Sequence, residues 1–415
     1  MSLHQALKFQ ENGYLFDGNS NTPHELSKQN MEDLIQLSKE ELNFQAEMES
    51  LAKQREKMDS RYGLYFDLLG MPNINGVITQ MPYGDRIITF PSTKHFFRGE
   101  KQIYPSSLPS LRRKIDSKSP EEKELYAAIA HLKVIRFGNF IWNLDIVPYW
   151  DMYMSNINEK ALAQHYGFET FLLDLTNDFM VALFFATCKY NWEKDCYEPL
   201  SNQDINQNED TKYGVIFHAP NWRLDWNNVE ANMKLMDKLV FEGQEVRGFP
   251  IDSGVYDEIA FKIGYQPFYR CSYQSGYVYP LKHGQALQEN PVFEKLRFKQ
   301  SEEFSHRVFE LMDEGRKIYP NEGIGLLREQ LKKIQETMEF TLDDIKEVYE
   351  EEVDKNLFPN LEVFMDKLLQ YEIEGKKVKI IEQIDYDINS PEFQQVNQMY
   401  DFEKVKGILK KEKGV

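Results

Sequence analysis

The chain has 415 residues, a mass of 49.1 kDa and a net charge of −18. Its 41 % apolar and 28 % charged residues, with 28 Phe and 23 Tyr, exclude both an integral membrane protein and wholesale disorder. A surface this acidic repels phosphate backbones, so non-specific nucleic-acid binding is disfavoured. Three cysteines, Cys188, Cys196 and Cys271, form no CxxC pair and are odd in number, which points to a reducing, cytoplasmic setting without a disulfide framework. The opening MSLHQALKFQENGYLF carries no basic-then-apolar leader pattern. The longest nearly unbroken apolar run, Phe179–Cys188, is too short for a bilayer, which needs about 20 residues, so no membrane partner is expected.

Three zones are expected: a helical region over 1–85, an α+β middle domain over 86–285, and a helical region over 286–415. In the first, Leu34, Leu37, Phe44, Met48 and Leu51 recur at helical spacing. A loop-rich stretch with Gly70, Pro72, Gly76, Pro82 and Gly84 follows. The middle zone opens with short β-branched or aromatic runs at 87–90 and 95–97. Ser119-Pro120-Glu121-Glu122 predicts a helix start, with Ser119 as cap, Pro120 at the first turn and Glu122 reaching back. Leu125, Ala128, Ile129 and Leu132 line one face of that helix. Residues 171–175 read as a buried strand, and Thr176 or Asn177 as the cap of an all-apolar helix over 179–188. Further strands are expected at 215–217, 259–263 and 277–279. In the last zone Ile324, Leu327, Leu331, Ile334 and Met338 predict one helical stripe, and Leu361, Phe364, Met365, Leu368 and Leu369 another. Thr341 with Asp344 predicts a capping box. The acidic run 343–354 is most simply a solvated helix face.

Nucleotide P-loop, serine-nucleophile and zinc-helix signatures are absent from the sequence, and its eight histidines are scattered. Polar residues inside apolar segments carry what chemistry there is. Phe97-Arg98-Gly99 places a guanidinium at the end of an aromatic strand. Its planar fork suits phosphate or carboxylate, and Gly99 admits a close backbone approach; the alternative is a structural Arg paired with an acid. In Leu162-Ala163-Gln164-His165-Tyr166-Gly167, Gly167 ends a helix and His165 can move a proton or contact a substrate oxygen, or simply pack. Asp174 lies in Leu173-Asp174-Leu175-Thr176, where an acid in an apolar strand needs a partner: Arg98, His165 or helix amides. In 269–277, strand alternation would put Arg270, Ser272 and Gln274 on one face, with Gly276 at a bulge or close contact.

The order of these motifs resembles the FRG-domain family, named for the Phe97-Arg98-Gly99 tripeptide. After it come Leu108-Pro109-Ser110-Leu111-Arg112-Arg113, the 162–167 block, Thr170-Phe171-Leu172-Leu173-Asp174-Leu175-Thr176, Val181-Ala182-Leu183-Phe184-Phe185-Ala186, and Arg270 with Gln274-Ser275-Gly276. The resemblance spans about 88–282. It implies an FRG-like α+β fold, with one departure: Phe171 stands where the family has Arg, so a positive charge is lost.

Three functions follow as expectations. The first is a module, acting as a sensor, that binds a nucleotide or other small anion through Arg98, Gly99, Tyr166 and Arg270 and contacts a protein partner through the helical regions. The second is an ADP-ribosyltransferase-like enzyme using NAD, with the pyrophosphate on Arg98 and the sugars and amide on His165, Tyr166 and Gln274. The expected Ser-Thr-Ser and Glu-x-Glu are missing, and Ser92-Thr93 precedes the Arg. The third is a hydrolase or nuclease using His165 and Asp174. A purely structural role completes the set.

Overall fold

The computed structural model describes residues 95–148, 157–220, 260–262, 268, 270–271, 274, 276–290, 292–319 and 323–399, and the backbone of strands at 24–25, 77–81 and 84–88. The helix expected around 34–51 lies outside these residues. The strands are β1 (His24–Glu25), β2 (Val77–Met81), β3 (Gly84–Ile88), β4 (His95–Glu100), β5 (Leu172–Thr176), β6 (Cys188–Asn191), β7 (Cys196–Pro199), β8 (Tyr213–Pro220), β9 (Phe261–Lys262), β10 (Gly276–Pro280) and β11 (Glu294–Lys299). Seven of them form one sheet in the order β1-β11-β8-β4-β5-β10-β9, antiparallel except for the β1–β11 pair. Helices and sheet together make an α+β fold. The strand-forming pattern runs past residue 290, since β11 sits beside β8 inside the sheet.

Strand alternation divides the core. Phe97, Ile216, Leu296 and Phe298 face α4 (Phe179–Thr187). Leu172 and Val278 join the same side, against α2 (Pro120–Ile141) and α3 (Glu159–His165). Phe96, Leu173, Leu175, Val215, Phe217, Tyr277 and Tyr279 line the other face. The α4 helix is apolar all round because it is buried all round. Its cap is Asp178, whose side chain accepts from Met180 N, and not Thr176 or Asn177. Thr176 instead closes the sheet end by donating to the Gln274 carbonyl.

The α2 helix starts as its sequence predicts. Ser119 and Glu122 exchange side-chain-to-backbone bonds, with Pro120 in the first turn. It follows α1 (Ser110–Ile115). Beyond the sheet come α5 (Glu302–Leu311), a 3₁₀ turn at Gly323–Leu327, α6 (Arg328–Glu336), α7 (Leu342–Glu352), α8 (Leu361–Gln370) and α9 (Pro391–Met399). The 324–338 stripe is buried throughout, but a 3₁₀ turn and a helix share it where one helix is expected. The Thr341–Asp344 capping box forms at the start of α7. Two short parallel strands, β12 (Glu339–Thr341) and β15 (Lys379–Ile381), and the hairpin of β13 (Glu372–Ile373) with β14 (Lys376–Lys377) interrupt these helices. Among the described residues no helix is long and apolar enough to cross a membrane, and no group of His, Cys, Asp and Glu is arranged to hold a metal ion.

Candidate functional site

Phe96, Arg98 and Glu100 alternate onto one face of β4, while Leu173 and Leu175 bring β5 to that same face. Asp174, between those leucines, therefore leaves the sheet on the opposite side from Arg98. The two are still in contact, through the backbone. Strands β4 and β5 share a single paired position, Phe97 with Thr176, and beyond it they part. There the Arg98 Nη1 donates to the Asp174 carbonyl at 3.0 Å, and its Nε donates to Glu100 Oε1 at 3.0 Å. The other Glu100 oxygen accepts from the Ser107 hydroxyl at 2.6 Å. Arg98 is 19 % exposed, and its guanidinium clamps parting strands.

Gly99 points to the α4 side. A Cβ there would lie 1.7 Å from the Ala182 carbonyl oxygen and 2.9 Å from the Ala186 nitrogen. The close backbone approach that a glycine allows is real, and the approaching group is the chain's own helix.

His165, Tyr166, Asp174, Arg270 and Gln274 do come together, on the α3 side of the sheet. Helix α3 is short, capped by Asn158 and stopped by Gly167 at φ +86°. It sets His165 Nε2 3.8 Å from Asp174 Oδ1. Asp174 Oδ2 accepts from Gln164 Nε2 at 3.2 Å. The Asp174 side chain is 41 % exposed, although Oδ1 itself is buried. Asp174 is thus hydrogen-bonded, and it is less buried than its apolar neighbours suggest. Burial lowers the His165 pKa; Asp174 opposes that shift and Arg270 reinforces it.

Arg270 and Gln274 are drawn together by a backbone bond four positions apart, Gln274 N donating to the Arg270 carbonyl at 3.1 Å. The expected strand alternation over 270–274 is not what aligns them. Gly276 pairs regularly with Thr176 in β10, without a bulge. Gln274 is buried, and its Nε2 donates to the Ile318 carbonyl at 2.9 Å.

Arg270 is 5 % exposed. Its guanidinium stacks on Tyr319 with Cζ 3.7 Å from the ring centre, and lies 4.8 Å from the ring centre of Tyr166. Its hydrogen bond goes from Nη1 to the His165 carbonyl at 3.2 Å, and no carboxylate among the described residues pairs with it. Tyr319 is held by its hydroxyl, which donates to Asp195 Oδ1 at 3.0 Å and contacts the Tyr190 hydroxyl at 3.1 Å. Tyr197 packs on Tyr319, and burial raises its pKa, so it stays a neutral phenol.

Sequence reasoning missed Tyr319, Tyr197 and Asp195, and it quoted Gln164 and Thr170 without assigning them a role. Tyr319, Tyr197 and Asp195 have no local signal, since they meet through contacts between segments more than 100 positions apart. At Phe171, Lys282 places its ammonium 5.6 Å from the ring centre, so a cation stands beside the position where the family charge is lost.

A scan against protein-family models matches the FRG domain to residues 93–195, so the chain carries an FRG domain. That span includes Arg98, His165 and Asp174; Arg270 and Gln274 come from outside it. No curated protein and no solved structure matches the chain.

Proposed function

We propose that the FRG domain, completed by Arg270 and Gln274, binds a small ligand with an anionic group, a nucleotide or nucleotide-like compound, on the α3 side of the sheet. The observation that carries this is Arg270. Among the described residues it is a buried cation with one hydrogen bond, to a carbonyl, and without an ion-pair partner. Burying a charge costs several kcal/mol unless an opposite charge compensates, and stacking on tyrosines offsets only part of that cost. A phosphate completes the arrangement, and the surrounding Tyr166, Tyr319 and Tyr197 rings suit the sugar and base of a nucleotide. Arg98, already bound to Glu100 and to a backbone carbonyl, holds the strands that carry this site. The closeness of Gly325 supports a sensor role: a Cβ there would lie 3.2 Å from Arg270 Nη2, so the 3₁₀ turn ahead of the C-terminal helices passes close to that cation.

Calorimetric titration with AMP, ADP, NAD and inorganic phosphate tests this reading. Micromolar binding of at least one nucleotide is expected, weakened tenfold or more in Arg270→Lys, which keeps the charge and loses the planar fork. Binding that ignores Arg270→Lys, or no binding by any of the four, sinks it. The half-exposed Asp174 carboxylate favours a second reading, a transferase acting on NAD, because an acid beside the ligand can stabilise a developing oxocarbenium. Nicotinamide release from NAD that disappears in Asp174→Asn supports that reading, and NAD left intact rejects it.

A further inference from the structure

Arg270 is covered where an anion has to reach it. Among the described residues, Tyr319 and Tyr166 lie against its guanidinium, the His165 carbonyl takes Nη1, and Gly325 comes close to Nη2. A phosphate enters only if one of these groups gives way. Tyr166, Ile324 and Leu327 belong to one buried core cluster, which fixes the end of α3 and the 3₁₀ turn. The His165 side chain is 3 % exposed. Tyr319 differs from all of these, because it is partly exposed and its hydroxyl is anchored to the β6–β7 hairpin. Its backbone is not the part that can move. The preceding residue, Ile318, is fully buried, and its carbonyl is taken by Gln274 at 2.9 Å. The freedom left at Tyr319 is in its side chain.

The anchor is one carboxylate. Asp195 Oδ1 accepts from the Tyr319 hydroxyl at 3.0 Å and from the Tyr190 hydroxyl, and the two phenol oxygens lie 3.1 Å apart. Asp195 sits at φ +52° in the turn of the hairpin, a left-handed position that glycine fills most easily and aspartate tolerates. An aspartate there gives the turn what a glycine cannot, an acceptor for both phenols. The hairpin itself is tied down and also reaches the surface. The Trp192 carbonyl accepts from Arg328 at the start of α6, while the Trp192 side chain packs edge-on to Tyr190 with ring centres 4.7 Å apart. Trp192 is 75 % exposed.

We infer that Tyr319 is a latch that closes the Arg270 site, and that Asp195 is its catch. The inference rests on the reading that Arg270 binds an anionic ligand, and it adds how that site is regulated. Opening requires the Tyr319 hydroxyl to leave Asp195, so that the ring can swing off the guanidinium. The protein then divides between a closed form, in which the tyrosine covers the cation, and an open form that binds. Apparent affinity is reduced by the fraction that is open, and whatever weakens the latch raises it. A ligand that holds the site open takes the Tyr319 contact away from Asp195 and Tyr190. The exposed Trp192 beside Tyr190 places that change at the surface.

The test is calorimetric titration of the full chain and of two variants with AMP, ADP, NAD and inorganic phosphate. Tyr319→Phe keeps the ring and loses the hydroxyl. Asp195→Gly keeps the left-handed turn and loses the carboxylate. Hydrogen bonds to a charged group are among the stronger ones, so each variant should bind at least one of the four about tenfold more tightly than the parent chain. The double variant should bind no more tightly than the better single one, because both changes remove the same bond. A contact that only supports the Arg270 site predicts the opposite sign, weaker binding in both variants. Affinity unchanged or weakened in both, while Arg270→Lys still weakens binding, overturns the latch and leaves the anion site standing. Binding of none of the four by the parent or either variant overturns both. Should Asp195→Gly not fold, Tyr319→Phe against the parent decides alone.

Discussion

A methyl group at position 99 would overlap the Ala182 carbonyl, so β4 and α4 approach as closely as backbones allow. Gly99→Ala must push them apart. It should cost about 3 kcal/mol or more, at the upper end of overpacking penalties, and a fall in urea midpoint measures it. Arg98 is the neighbouring residue with the opposite expectation for binding. Arg98→Lys loses the fork that joins Glu100 to the Asp174 carbonyl. A loss of about 1–3 kcal/mol is expected, seen as a melting temperature lower by several degrees, with nucleotide affinity unchanged. An intact melting temperature with lost affinity would move the anion contact from Arg270 to Arg98.

At the scale of elements, the site depends on a seven-residue helix. The α3 helix has its side-chain cap at Asn158, where Oδ1 accepts from Ala161 N at 2.9 Å. Its buried Ala161, Leu162 and Ala163 anchor it to the core that includes Val278. Asn158→Ala should cost about 1 kcal/mol. Because His165 is the last residue of this helix, the same substitution should weaken nucleotide binding severalfold, and titration beside thermal melting separates the two effects. Retained affinity at reduced stability would show that core packing alone positions His165.

At the scale of the whole molecule, Glu352 at the end of α7 ties the C-terminal helices to the sheet domain. Lys160 Nζ lies 2.7 Å from its carboxylate, His131 Nδ1 3.6 Å and Lys282 Nζ 3.8 Å. Burial opposes ionisation of Glu352, but these three groups outweigh it and hold its carboxyl below the usual value of 4.5. A depressed carboxyl contributes stability that is fully present above the unfolded pKa and is lost as pH falls through the folded one. Glu352→Gln should therefore lower the melting temperature at pH 6–7, by roughly 1–3 kcal/mol once partial exposure is allowed for, and the gap should close below about pH 4. A gap that persists at pH 3 would assign the effect to packing instead of charge.

Residues close along the chain determined what they could decide locally. The α2 capping box, the Gly167 stop, the buried 172–176 strand and the apolar α4 helix all follow from side-chain volume, periodicity and hydrogen bonds within a few positions. The FRG motif order singled out Arg98, His165, Asp174, Arg270 and Gln274 as candidates. Only the tertiary structure decided which of them meet. Alternation along β5 is visible in sequence, but the side of the sheet that α3 covers is not, and that choice separates Asp174 from the Arg98 side chain and joins it to His165. Gln274 N bonds back to the Arg270 carbonyl, and the Ile318 carbonyl takes the Gln274 amide, a partner 44 positions away. The Tyr319 ring on Arg270, and the buried His165 Nε2 and Asp174 Oδ1 that find no hydrogen-bond partner among the described residues, likewise exist only after distant segments pack, since burial and pairing are properties of the folded surroundings and not of a residue type.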